Sequence, residues 1–206
     1  MKSDMKYNSF NGKKDIDKKN LKTQENPGPK SEVPLNRMNR KNILKLTIAG
    51  VFTALVLIST QLKVPTAIGY ANMGDGVILL ASYLLGPAAF FPAAIGSALA
   101  DLMAGYAPYI PATFVIKGLM GLAAGFIMKN EKVTVIRRLV AFIAAEAIMV
   151  AGYFAFEALP FMYGPAAAAG SILFNLGQGA VGILVAMLLT TLLSKLRATA
   201  RVKLKQ

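Results

Sequence analysis

The residues of this chain that could do chemistry are few, and they lie in stretches that are otherwise apolar. One group is the run Gly69-Tyr70-Ala71-Asn72-Met73-Gly74-Asp75, which directly precedes the apolar run from Gly76 to Leu85. It places a phenol, an amide and a carboxylate beside lipid-soluble side chains. A carboxylate bordering hydrocarbon is costly and marks a functional site by default. This stretch therefore predicts part of a small-molecule site.

Further polar side chains recur in the later apolar segments. Glu146, Tyr153 and Glu157 are seven and four residues apart, so on a helix they share one face. Asn175 and Gln178 are three apart, which also places them on one face. The candidate substrate-binding residues are Tyr70, Asn72, Asp75, Asp101, Tyr109, Lys117, Tyr153, Glu157, Asn175 and Gln178.

This set suits the binding of a small, polar, heterocyclic solute, and it does not predict catalysis. The chain has no cysteine and no histidine, which removes thiol nucleophiles, disulfides, the commonest metal ligand and the usual proton shuttle. It also lacks a P-loop, so it cannot hydrolyse ATP itself. We expect a protein that is not an enzyme, with no metal and no cofactor.

The elements that hold these residues are predicted to be membrane-spanning helices. The 206 residues are 55% hydrophobic and 16% charged, against about 25% charged in soluble domains. Charged residues almost vanish from Leu46 to Met128 and again from Leu139 to Ser194. Each block is long enough to cross a bilayer more than once, which predicts an all-α integral membrane protein.

Basic residues concentrate outside the apolar blocks, in residues 1–42, Lys129–Arg138 and Lys195–Lys205. Residues 1–42 show almost no apolar clustering and predict a disordered basic cytoplasmic tail. Residues 195–206 form a second basic tail, which leaves 43–194 as the substrate-binding domain. The net charge of +13 reflects membrane topology, without the pattern of a nucleic-acid surface, so no nucleic-acid partner is expected.

Loop charge decides the number of crossings. Gly86-Pro87 interrupts the apolar run from Gly76 to Ala100. If the run makes two crossings with a tight cytoplasmic turn, both later basic segments lie inside, as the positive-inside rule requires. The prediction is six transmembrane helices with both termini cytoplasmic and most polar groups in the outer half. The predicted spans are about 43–62, 76–85, 88–105, 112–128, 139–159 and 166–194.

Some of these residues also have purely structural explanations. Asp75 fits as a helix cap, and Asp101 with Lys117 fits as a structural ion pair. Asn175 and Gln178 fit as inter-helix hydrogen bonds, and the loop tyrosines as interface anchors. The shared depth of polar residues from five helices is explained better by a pocket that the outer loops close.

The first helix carries small residues in two pairs. Ala49 and Thr53 are four apart, as are Gly50 and Ala54, so each pair shares a face. Small residues at this spacing let another helix approach closely in lipid. They predict either packing within this chain or docking of a partner subunit.

The order of these features resembles the substrate-binding S component of energy-coupling factor (ECF) vitamin transporters, particularly the riboflavin-type branch. The resemblance covers roughly residues 43–194. The matching segments are Tyr70-Ala71-Asn72-Met73-Gly74-Asp75, Leu85-Gly86-Pro87, Gly96-Ser97-Ala98-Leu99-Ala100-Asp101-Leu102, Tyr109-Ile110-Pro111, Ile116 to Gly125, and Asn175 with Gln178.

The resemblance implies capture of a vitamin or its precursor at the outer side of a bacterial plasma membrane. It implies as partners a transmembrane T component and two ATPases, with Ala49, Gly50, Thr53 and Ala54 as the T-component docking surface. Riboflavin and a thiamine-type pyrimidine are the expected substrates. Two other functions stay open: a solitary secondary transporter, with Glu146 as its proton-coupling carboxylate, and a non-catalytic membrane scaffold.

Overall fold

A computed structural model describes residues 40–65, 70–129 and 133–203. Most of them are helical, which confirms the all-α class. The helices are α1 (Arg40–Thr60), α2 (Gly74–Leu85), α3 (Phe90–Met103), α4 (Ile110–Ile127), α5 (Val135–Glu157) and α6 (Pro165–Lys203). Short 3-10 turns at Gly86–Ala89 and Ala107–Tyr109 precede α3 and α4. The predicted N-terminal tail lies outside the described residues except for its last three, which begin α1.

A small antiparallel sheet follows α1, where the sequence predicted only the end of a helix and a loop. β1 (Lys63–Pro65) pairs with β2 (Tyr70–Asn72), and Val64 lies opposite Ala71. Both strands of a two-stranded sheet are edges, which is where proline is tolerated. Strands of three residues are too short to show the alternation that predicts a strand, so the sequence did not indicate them.

The predicted break at Gly86-Pro87 is confirmed. Gly86 has a φ of 61°, which glycine adopts at no steric cost, and Pro87 follows in the 3-10 turn. Helix α4 passes directly beside this turn, because a Cβ at Gly125 would lie 2.3 Å from the carbonyl carbon and oxygen of Gly86. The two backbones therefore touch without an intervening side chain.

Within the described residues, five helical stretches are long and apolar enough to cross a membrane: Asn42–Thr60, Gly74–Met103, Ala107–Ile127, Val135–Glu157 and Pro165–Leu196. Large apolar side chains point outward, as with Ile136 and Leu173, each 75% exposed. Such exposure is unfavourable in water but suits contact with lipid. The protein is a multi-pass membrane protein. Six crossings with both termini inside stays a prediction, because the stretch Gly74–Met103 contains α2, the turn and α3.

The helices approach one another closely where glycine replaces a side chain. A Cβ at Gly96 would lie 2.7 Å from the carbonyl oxygen of Thr53, and one at Gly121 would lie 2.7 Å from that of Ala89. Small residues permit this approach in lipid. Helix α3 is thereby packed tightly against α1, and α4 against the turn before α3. Among the fully buried apolar side chains are Ile78, Leu79, Met120, Phe142 and Met149.

Helix α6 is longer than a membrane is thick. Its 39 residues span about 58 Å at 1.5 Å per residue, against about 30 Å of hydrocarbon. The helix continues to Lys203, so residues 195–203, which the sequence assigned to a separate basic tail, prolong α6.

Candidate binding site

A buried ion pair joins α2 to α4. The Lys117 ammonium contacts Asp75 Oδ1, and the two side chains are 2% and 1% exposed. Gln178 from α6 donates from Nε2 to the other Asp75 oxygen at 2.5 Å. One carboxylate therefore connects three helices, and both of its oxygens accept hydrogen bonds, as a buried charge requires.

Gln178 also connects the hairpin formed by β1 and β2 to α6. The Asn72 backbone N–H donates to Gln178 Oε1 at 2.7 Å. The oxygen and the nitrogen of the Gln178 side-chain amide are therefore distinguished by their hydrogen-bond partners. The Asn72 side-chain oxygen accepts from the Gly74 N–H at 2.9 Å, which satisfies one of the orphan donors at the start of α2. Asn72 thus satisfies this donor from the position before the N-cap residue Met73, whereas the sequence allowed a capping role to Asp75.

A second carboxylate, Glu157, is held by two hydroxyl groups. Glu157, at the end of α5, accepts from the Tyr109 hydroxyl at 3.2 Å and from the Ser171 hydroxyl. The Tyr109 ring packs edge-on to Phe156, with 5.3 Å between ring centroids. Tyr109 is therefore a buried side chain that orients Glu157 rather than a simple interface anchor.

Tyr153 lies on α5, four residues before Glu157. Its hydroxyl is 3.0 Å from the Thr113 hydroxyl, and the Lys117 ammonium lies 5.5 Å from its ring centroid. A cation at this distance is attracted to the negative face of the ring. The lysine is thus fixed by a carboxylate on one side and an aromatic ring on the other.

These groups surround one cavity of about 50 Å³, which is room for a few water molecules. Its lining combines hydroxyls, amides, carboxylates and aromatic rings. The hydroxyls of Thr60 and Ser97 are buried and have no hydrogen-bond partner within the described ranges. The lining residues are Thr60, Asn72, Ser97, Asp101, Tyr106, Tyr109, Thr113, Lys117, Tyr153, Glu157, Ser171, Phe174, Asn175 and Gln178.

The structure brings eight of the ten predicted side chains to this cavity: Asn72, Asp101, Tyr109, Lys117, Tyr153, Glu157, Asn175 and Gln178. Asp75 lies behind Lys117 and Gln178 and reaches the cavity only through them. The Tyr70 side chain is outside what the structure describes. The proposed ion-pair partner of Lys117 also changes, since the structure pairs this lysine with Asp75.

Several lining residues were not predicted, although most carried a signal. Ser97, Thr113, Ser171 and Phe174 each lie four residues before a predicted site residue on the same helix, and that spacing puts them on its face. Thr60 and Tyr106 also line the cavity. Thr60 ends α1 with no such spacing to a predicted residue, so only the fold reveals it.

The predicted docking face of α1 divides in two. Gly50 and Ala54 are exposed, and a Cβ at Gly50 would meet no atom within 4 Å. The Thr53 carbonyl packs against Gly96 of α3, and the Thr53 hydroxyl bonds back to Ala49. Gly50 and Ala54 therefore face away from the bundle, while Thr53 packs within it.

Comparison with known proteins identifies the family of this chain. The sequence model of the family "ECF-type riboflavin transporter, S component" matches residues 40–195. The thiamine precursor transporter HmpT of Lactococcus lactis subsp. cremoris (strain MG1363) is 29% identical over 163 residues, 77% of this chain and 92% of that protein. A Pyrococcus woesei protein described as "Uncharacterized protein in gap 3'region" is 32% identical over 126 residues, 61% of this chain and 82% of that protein. The match spans α1 to the membrane-length part of α6, and the chain belongs to the family of ECF-type riboflavin transporter S components.

Proposed function

We propose that this chain is the substrate-binding membrane subunit of an ATP-driven ECF importer, which captures a vitamin or vitamin precursor at the outer side of the plasma membrane. One observation carries the proposal. Polar side chains from five helices and the hairpin converge on one cavity in a protein whose outward surface is apolar. Convergent polar groups in a concave site are typical of ligand binding.

The position of the cavity supports a topology with six crossings and both termini inside. Asn72 precedes α2 and Asp101 lies near the end of α3, yet both line the same cavity. An unbroken helix over Gly74–Met103 would separate its ends by about 45 Å. The chain therefore reverses at Gly86–Ala89, so that α2 and α3 cross separately. The basic segment Lys129–Arg138 then lies inside together with both termini.

The substrate is proposed to be riboflavin or a thiamine-type pyrimidine. Rings of Tyr109, Tyr153 and Phe174 border the cavity and would stack on a flat heterocycle, while the amides and carboxylates would bond its polar edge. The family match names riboflavin and one relative is named for a thiamine precursor. Either ligand is larger than a cavity of about 50 Å³, so we propose that lining side chains move when it binds.

Mass spectrometry of small molecules that co-purify with the protein, followed by titration with riboflavin and with a thiamine-type aminopyrimidine, tests the substrate. Asn175→Ala and Glu157→Ala should each weaken binding by roughly tenfold or more, the equivalent of a lost hydrogen bond to a charged group, without loss of folded yield. Thr47→Ala, on the exposed face of α1, is the control. Unchanged affinity in both cavity variants would remove the site assignment.

The T component and two ATPases are proposed partners, with the outward face at Gly50 and Ala54 as the contact. Co-expression with a tagged copy of this chain tests the assembly. If the tag recovers neither partner, the importer proposal loses its main support. Uptake into liposomes without ATP would instead indicate a transporter that works alone, and the absence of a thermal shift with any vitamin would indicate a scaffold.

A further inference from the structure

Glu146 is a buried carboxyl that the cavity does not use. It lies in the middle of α5 and is 5% exposed, and neither of its oxygens has a hydrogen-bond partner among the described residues. It borders a second space of about 530 Å³ between α5 and α6. The other residues around this groove are apolar and include Ile143, Val150, Phe154, Ile172, Leu176 and Ile183.

The backbone of α6 lies against this carboxyl. A Cβ at Gly179 would be 3.1 Å from Glu146 Oε2, and one at Gly182 would be 3.0 Å from Oε1. With two glycines at this level, the described part of α6 brings no side-chain donor to the Glu146 carboxyl. An unsatisfied polar group of this kind in a folded protein requires an explanation.

The charged groups that face Glu146 do not neutralise it. From α2 comes Asp75, whose Cβ lies 2.9 Å from the same Gly182 position. From α4 comes Lys117, which acts on Glu146 electrostatically but is already paired with Asp75. The described residues of α6 that border the groove carry no charge. Two carboxyl groups therefore compete for one ammonium.

One proton resolves this imbalance. An unpaired carboxylate inside a membrane protein is strongly unfavourable, and such a group binds a proton rather than remain ionised. With a proton on Glu146, the cluster of Asp75, Lys117 and Glu146 carries no net charge. We propose that Glu146 is a proton-binding site in the membrane interior, a neutral carboxylic acid at the wall of the apolar α5–α6 groove.

Dicyclohexylcarbodiimide, an apolar reagent that reacts with protonated carboxyl groups, tests this proposal. The carboxylic O–H adds across one C=N bond, so that a C–O bond forms and the proton moves to nitrogen. The acyl group then migrates from oxygen to nitrogen, and a stable N-acylurea results with no leaving group. An ionised carboxylate lacks the proton that this addition requires.

The full-length protein in phosphatidylcholine vesicles should gain one reagent molecule, which peptide mass spectrometry assigns to Glu146. The labelling rate should fall several-fold as the pH rises from mildly acidic to alkaline, because only the protonated form reacts. Glu146→Gln should abolish the adduct. Glu157→Gln is the matched control and should leave it unchanged, since the Glu157 carboxylate accepts two hydroxyl bonds inside the polar cavity.

A second variant keeps the carboxyl and closes its access. Ala147 lines the groove and is exposed, so Ala147→Phe should fill the space and slow the labelling several-fold, with thermal unfolding as the check that the variant is folded. The proposal is overturned by no adduct on Glu146 at any pH, by a rate independent of pH, or by an adduct that persists in Glu146→Gln. None of these readouts depends on which vitamin binds.

Discussion

The two ends of the helix bundle are held together by different kinds of contact. At the cavity end, side chains bond to side chains, as in Lys117 with Asp75 and Tyr109 with Glu157. At the end that contains the Gly86–Ala89 turn, backbones touch directly, and the Ser82 hydroxyl donates to the Gly121 carbonyl at 3.2 Å. Polar side chains can exchange one partner for another, whereas touching backbones leave no atom to rearrange. The cavity end is thus the adjustable part and the turn end the fixed frame.

The largest effect is expected at the cavity end, from Lys117→Met. The change leaves the Asp75 carboxylate buried without its cation, and breaking a buried ion pair costs about 3–5 kcal/mol. The free energy of unfolding in detergent measures this loss. Asp75→Asn combined with Lys117→Met should recover part of it, because no uncompensated charge remains. Equal losses in the single and double variants would show that the uncompensated charge of Asp75 is not what destabilises Lys117→Met.

At the turn end of the bundle, Gly125→Ala should lower the melting temperature. The added methyl group would lie 2.3 Å from the Gly86 carbonyl, so a backbone must shift, and overpacking costs about 1–3 kcal/mol. Gly170→Ala is the control, because a Cβ there meets nothing within 4 Å. It should hold or raise the melting temperature, since alanine favours a helix over glycine by about 1 kcal/mol. Equal melting temperatures for the two variants would contradict the comparison.

A smaller effect separates hydrogen bonding from packing at the cavity. Tyr109→Phe removes the hydroxyl that donates to Glu157 and keeps the ring on Phe156. Loss of one such bond should cost about 1 kcal/mol of unfolding free energy. Tyr109→Ala also removes the ring and should cost about 3–5 kcal/mol. If the phenylalanine variant is as unstable as the alanine variant, the Tyr109 hydroxyl rather than its ring stabilises this part of the cavity lining.

The smallest effect on the isolated protein is expected outside both ends. Gly50→Leu with Ala54→Leu should leave ligand affinity unchanged and should not lower the unfolding free energy, because a Cβ at Gly50 meets no atom within 4 Å and leucine favours a helix over glycine. Recovery of the T component in co-purification should fall, since the larger side chains prevent close approach of another helix. A drop in ligand affinity instead would mean that this face packs within the protein.

Much of the fold could be predicted from hydropathy and from one dipeptide. The apolar blocks locate the helices, and Gly86-Pro87 marks the break between α2 and α3. The β1–β2 hairpin escaped prediction because three-residue strands show no periodicity. The helix ends also differ by a few residues, as at Arg40 where α1 begins, because charge marks the edge of a membrane rather than the end of a helix.

The sequence could predict the position of each polar residue along its helix, but not the direction in which its side chain points. Distance along each helix placed Asp75, Asp101 and Lys117 at similar depths, which correctly brought polar residues together. The rotation of each helix about its axis decides which carboxylate meets the lysine, and no local pattern encodes it. The sequence therefore paired Lys117 with Asp101, whereas the structure pairs it with Asp75. Ser97 and Thr113 could have been found by their four-residue spacing from Asp101 and Lys117.

The bonds of Gln178 also have a consequence for how the protein is made. They join α6 to Asn72 and Asp75, residues 106 and 103 positions earlier in the chain. Synthesis proceeds from the N-terminus at about 5–20 residues per second, so the carboxylate of Asp75 enters the membrane several seconds before its amide donor exists. A nascent chain without α6 therefore carries an incomplete polar cluster in lipid. The cluster is complete only once α6 has been inserted, so chains truncated before Pro165 should have a lower free energy of unfolding than the full chain.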